Sequence, residues 1–191
     1  MYPDGNARSA LKAATIHYHS RVDRVFSGAD LGEVGSYGRF LLAQAAGYLP
    51  VEAALTCSGV ARIMPDWDAR QRGGLLLADL ADLELAPPDC ARDMIFGEEA
   101  AVLGALYVLE GSRLGGALLK RSVPATFPSR FLGGGDSAAW RRLLAVLDER
   151  LDTDAKRTIA IEAASAVFTL FEMSGQRYLA QDQSGARRRL D

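Results

Sequence analysis

Residues 105–119 read ALYVLEGSRLGGALL. The apolar positions recur at helical steps, yet Gly111, Gly115 and Gly116 interrupt them. A glycine inside a helix costs roughly 0.5–1 kcal/mol relative to alanine. Three in one short stretch imply that something needs the missing side chains. Gly111 and Gly115 are one turn apart and share a face, with Gly116 beside them. Two uses fit that face. A flat ligand can approach the helix backbone, or a second helix can pack closely against small residues. A phosphate loop is a poor third reading, because GSRLGG lacks the lysine spacing and no strand precedes it.

Working outward, the same helical period recurs along the chain. In residues 7–27, Leu11, Thr15, Tyr18, Val22 and Phe26 build one face. Residues 34–47 form a second helix carrying Tyr37, Phe40, Leu41 and Gln44, which Gly47 and Pro50 are expected to end. A short helix over 51–57 follows. Gly73-Gly74 opens another at Leu76, Leu80 and Leu83, and Pro87-Pro88 closes it. The stretch 89–120 is expected to be the longest helix, and 136–150 and 154–180 two more. Val and Ile are few, and no segment alternates with period two, so no strand is expected. The expected fold is a single all-α domain over 1–191, a bundle of about seven or eight helices. Residues 1–6 and 183–191 are read as frayed tails.

A chain of 191 residues with 49% hydrophobic residues can bury an ordinary core. Its net charge of -2 gives no footprint for nucleic acid. Cys57 and Cys90 lie far apart without metal-ligand spacing and read as thiols of a reducing compartment. The N-terminus MYPDGNARSA has no apolar stretch, and no apolar run approaches the ~20 residues of a membrane span. The expectation is a cytoplasmic protein off the membrane. No coiled-coil pattern stands out, so a monomer is expected.

The only histidines are His17 and His19. Two residues apart, they face different sides of a helix. His19 follows Thr15 by four and precedes Val22 by three, which puts it on or beside the apolar stripe. His17 falls on the solvated side. A neutral imidazole there can hold haem iron, or can sit at the core edge bonded to a backbone carbonyl. A zinc or di-iron site needs several further ligands, and neither HxxxH nor ExxH occurs.

LKAATIHYH at 11–19 resembles the proximal-helix motif of the haem oxygenase family. LYVLEGSRLGG at 106–116 resembles the distal helix of that family, especially its bacteriophytochrome-associated bacterial branch. Fainter likeness runs through SYGRFLLAQA at 36–45, LLLADLADL at 75–83 and AASAVFTLFE at 163–172. The resemblance implies that haem, at once substrate and cofactor, lies between the two helices. It implies His19 as the ligand of the haem iron, with Gly111, Ser112, Gly115 and Gly116 as the catalytic distal face. It further implies cleavage of haem to biliverdin, CO and ferrous iron, using O2 and electrons from an external reductase system. The donor would be of ferredoxin type and the acceptor of biliverdin a bacteriophytochrome.

Lys12 matches a family position that pairs with a haem propionate. Arg141, Arg142 and Arg177 are further candidates for that role. Ser112 stands where the mammalian-type enzymes have an aspartate, so an uncharged hydroxyl must help hold the proton-supplying water. Glu110 and Arg113 read as a surface or inter-helix ion pair, and Phe168 and Phe171 as core residues. Trp67 and Trp140 carry no assignable chemistry. A haem-binding sensor without turnover and a helical partner-binding module are the alternatives to the enzyme.

Overall fold

The computed structural model describes residues 6–89, 94–134 and 136–187, with side chains through Ala180. Cys90 lies outside the described residues, as do 1–5 and 188–191 of the two expected tails; residues 183–187, expected to be frayed, instead continue the last helix.

Among the described residues seven α-helices follow one another: α1 (Ala7–Phe26), α2 (Val34–Cys57), α3 (Trp67–Arg70), α4 (Gly73–Asp82), α5 (Glu99–Leu119), α6 (Ser137–Arg150) and α7 (Asp154–Arg187). Single 3-10 turns lie at Val60–Arg62 and Lys120–Ser122. There is no strand among the described residues. Since α3 is one turn, six helices carry the architecture, slightly fewer than expected.

The difference lies in α2, which runs unbroken through Pro50. An interior proline removes one backbone bond and costs about 3 kcal/mol. Burial of Tyr48, Val51, Ala54 and Leu55 around it offsets that cost. Gly47 is needed for space rather than for a break. A Cβ there would come within 2.7 Å of the Phe171 ring.

The expected long helix over 89–120 begins later, at Glu99. Phe96 is buried in the core, and Glu98 caps the helix in extended conformation. The longest helix is instead α7, which packs on α1, α2 and α5 and so forms the hub of the bundle. Local side-chain caps set the starts of α1 and α2. Asn6 accepts from the Ser9 N–H at 3.0 Å, and Glu33 from Gly35 and Ser36 at 2.8 and 2.6 Å.

One tight crossing fixes α5 on α7. A Cβ on Gly104 would lie 2.0 Å from the Ala160 carbonyl oxygen, so only glycine fits. Residues 102–110 of α5 are buried except Tyr107, whereas most of 111–119 is not. Two stretches, α2 and Glu99–Ser122, are long and apolar enough to cross a membrane. About half of each is buried inside the bundle.

Candidate functional site

A cavity of about 440 Å³ opens between α1 and the C-terminal half of α5. That lies within the roughly 300–1,000 Å³ usual for small-molecule sites. Thr15, His19, Val22, Asp23 and Phe26 line it from α1, and Gly111, Ser112, Gly115 and Gly116 from α5. Phe168 and Phe171 of α7 and Trp140 of α6 complete its apolar walls. Both phenylalanines are also core residues, as expected.

His19 Nδ1 lies 2.8 Å from Asp23 Oδ2. That carboxylate accepts the Nδ1 proton and leaves Nε2 as the nitrogen available to a metal. The His19 ring meets Phe168 edge-on at 5.7 Å between centroids. His17 is exposed and lies against Tyr18 instead, outside the cavity. Among the described residues no cluster of three or more His, Cys, Asp or Glu could hold a bare metal ion. A single histidine on a large apolar cleft suits iron carried by an organic ring.

The glycine face resolves the two uses left open above. A Cβ at Gly115 would meet nothing within 4 Å. At Gly111 it would reach only the Trp140 ring edge at 3.7 Å, and at Gly116 only Leu132 at 3.7 Å. Gly111 and Gly115 therefore do not serve close helix packing; Gly104 does. Their bare face borders the cavity. Ser112 also lines it, but its hydroxyl proton goes to the Leu109 carbonyl at 2.7 Å. Only its lone pairs remain to accept a bond.

The cavity carries three cations. Lys12 lines it, as does Arg8 one turn earlier, both exposed. Arg72 lines it from the start of α4 and is buried. Arg141, Arg142 and Arg177 do not line it. Arg142 pairs with Asp66 at 3.3 Å, and Arg177 lies over the Tyr178 ring at 5.4 Å. Arg141 is exposed.

Sequence reasoning missed Arg8, although its spacing to Lys12 places both on one face. It also missed Arg72 and Trp140, which reach the cavity only through the fold. Glu110 and Arg113 form the expected ion pair, and of its two expected settings it is the inter-helix one, not the surface one. Glu110 is 4% exposed and bonds both Arg70 and Arg113 at 3.0 Å. Arg70 in turn holds Asp66 at 2.8 Å. Hydrogen bonding to Arg70 lowers the Asp66 carboxyl below its ordinary value. This chain of charges ties α3 to α5 behind the glycine face.

No protein-family model matches the chain. A haem oxygenase of Xanthomonas campestris pv. campestris is 39% identical over 112 residues, 55% of this chain and 67% of that protein. The haem oxygenase PigA of Pseudomonas aeruginosa is 29% identical over 178 residues, 87% of this chain and 90% of that protein. The fold superposes on the NO- and CO-bound haem oxygenase of Neisseria meningitidis with a TM-score of 0.79. That match is 23% identical and covers 92% of each chain. Haem oxygenase from Leptospira interrogans follows at 0.69 and 18% identity, over 91% of this chain and all of that one. On this identity and span, the chain belongs to the haem oxygenase family.

Proposed function

We infer that the chain degrades haem to biliverdin, releasing CO and ferrous iron, with O2 and electrons from an external donor of ferredoxin type. The observation that carries the reading is that His19 and the bare face of Gly111 and Gly115 border one cavity. A planar, apolar ring with two carboxylates fits that cavity's parts. Apolar walls take the ring, and exposed Arg8 and Lys12 suit the carboxylates. Such exposed pairs contribute about 0–1 kcal/mol each, so they orient the substrate more than they hold it.

Haem supplies the iron at which oxygen is reduced. The chain supplies everything around it. Asp23 holds His19 in one orientation, with Nε2 toward the ligand role. Gly111 and Gly115 leave space for a small ligand against the α5 backbone. Phe168, Phe171 and Trp140 exclude bulk water, while Ser112 keeps an acceptor for an ordered one. The chain is read as a cytoplasmic monomer supplying biliverdin to a bacteriophytochrome.

The test is an absorption titration with haemin, followed by ferredoxin and its reductase in air. A Soret band that decays into a broad red biliverdin band is expected, and His19→Ala removes the axial ligation. A stable Soret band under reductant, or no band at all, overturns the reading.

A further inference from the structure

Arg70 and Arg113 inside the fold, and Arg21 and Arg130 at its surface, have carboxylate partners, whereas the buried Arg72 has none within ion-pair distance among the described residues. Arg70, 2% exposed, bonds Asp66 and Glu110. Arg113 bonds Glu110, Arg130 bonds Asp79 and Asp82, and Arg21 bonds Glu172. Arg72 is 4% exposed and has no carboxylate within ion-pair distance among the described residues. Its side chain donates one hydrogen bond, from Nη2 to the Gly133 carbonyl at 2.6 Å. Its guanidinium lies 4.9 Å over the Phe131 ring.

An arginine is almost never buried without a partner, because desolvating its charge is costly. The carboxylates that act on Arg72 from farther away are already engaged. Glu110 is bonded by Arg70 and Arg113, and Asp79 by Arg130 and the Phe131 N–H. Tyr48 nearby supplies no countercharge, since burial raises its hydroxyl above the ordinary value and keeps it protonated. Burial correspondingly pulls the Arg72 guanidinium below its ordinary value. Arg72 lines the cavity.

We propose that Arg72 makes an interior anion subsite of the cavity, separate from the exposed Arg8 and Lys12, which takes an anionic group of the bound substrate complex. The anion is a carboxylate of the porphyrin or a small anionic ligand at the iron. Only that choice rests on the haem reading; the subsite rests on the apo protein.

The test therefore begins without haem. 8-Anilinonaphthalene-1-sulfonate and N-phenyl-1-naphthylamine differ only by the sulfonate, and both fluoresce in apolar pockets. The apo protein is expected to bind the sulfonate more tightly, and Arg72→Met to weaken it about tenfold, in line with a hydrogen bond to a charged group. The neutral probe should be unaffected, and Arg72→Lys should recover part of the loss. Equal weakening of both probes makes Arg72 a structural residue and overturns the proposal. So does a wild-type protein without preference for the sulfonate, or a preference that follows Arg8→Met/Lys12→Met instead.

Haemin and azide then identify the anion. If Arg72→Met abolishes the preference for haemin over its dimethyl ester, the anion is a propionate. If it weakens azide but not imidazole binding to the ferric complex, the anion is a small ligand at iron. Failure to take up haemin with the sulfonate preference intact removes the proposed function and supports the subsite alone.

Discussion

Asp23 Oδ2 stands 2.8 Å from His19 Nδ1, one turn further along the same helix. The pair is local, so it forms whenever α1 does, and it needs no other element to orient the imidazole. A partner of this kind typically changes metal affinity or activity about 10–100-fold. Asp23→Asn is expected to lie near the tenfold end in haemin affinity, because both side chains are exposed. It should also shift the iron–histidine stretching frequency of the ferrous complex. An unchanged frequency would remove Asp23 from the site.

Gly115 separates stability from function. Its Cβ position is open, and it sits on an exposed part of α5. Gly115→Ala is therefore expected to stabilise the apo protein by about 0.5–1 kcal/mol through helix propensity. The same methyl projects into the space proposed for haem, so haemin affinity and turnover should fall. Thermal melting and haemin titration of one variant read both effects. A stabilised variant with full turnover would show that the bare face is not needed.

Gly104→Ala should behave in the opposite way. The added methyl meets the Ala160 backbone, which cannot move without displacing α7. A loss of about 3 kcal/mol is expected from overpacking, read by urea denaturation. Ala160→Gly should not rescue it, since the clash is with a main-chain oxygen.

The buried charges predict a third pattern. Glu110→Leu leaves Arg70 and Arg113 facing an apolar group, and about 3 kcal/mol of stability should be lost. Arg70→Met in the same chain should restore part of it. Additive losses in the double variant, measured in urea, would contradict the pairing.

Asp66 gives a pH signature. Its carboxyl is lowered below the ordinary 3.8 by hydrogen bonding to Arg70. The folded state therefore binds that proton less readily than the unfolded chain. The resulting stability is fully present above the ordinary value and is lost as pH falls through the lowered one. Asp66→Asn should flatten the acid limb of the stability profile and leave neutral pH differences small in slope. A parallel acid limb would exclude the coupling.

The helical class was legible because the apolar period of α1, α4 and α5 is strong and local. The continuity of α2 was not, since the cost of Pro50 is offset by burial of its α2 neighbours against other helices, which no local pattern displays. His19 and the glycines were legible because each motif lies on one helix. Arg72 and Trp140 were not, because they reach the cavity from α4 and α6, and their neighbours in sequence say nothing of it. The depth of Glu110 was only half legible: its spacing to Arg113 suits a surface or an inter-helix pair equally, and Arg70 of α3 decides between them.

The buried contact at Gly104 has a mechanical meaning for the other end of α5. The helix is clamped at its root, where Gly104 beds on Ala160, and is largely free of neighbours from Gly111 onward. It is built as a cantilever. Displacement of its tip need not disturb its root, and the three glycines would make that outer half the more compliant part of the beam. The point about which the beam bends is then set at Gly104, outside the lining of the cavity.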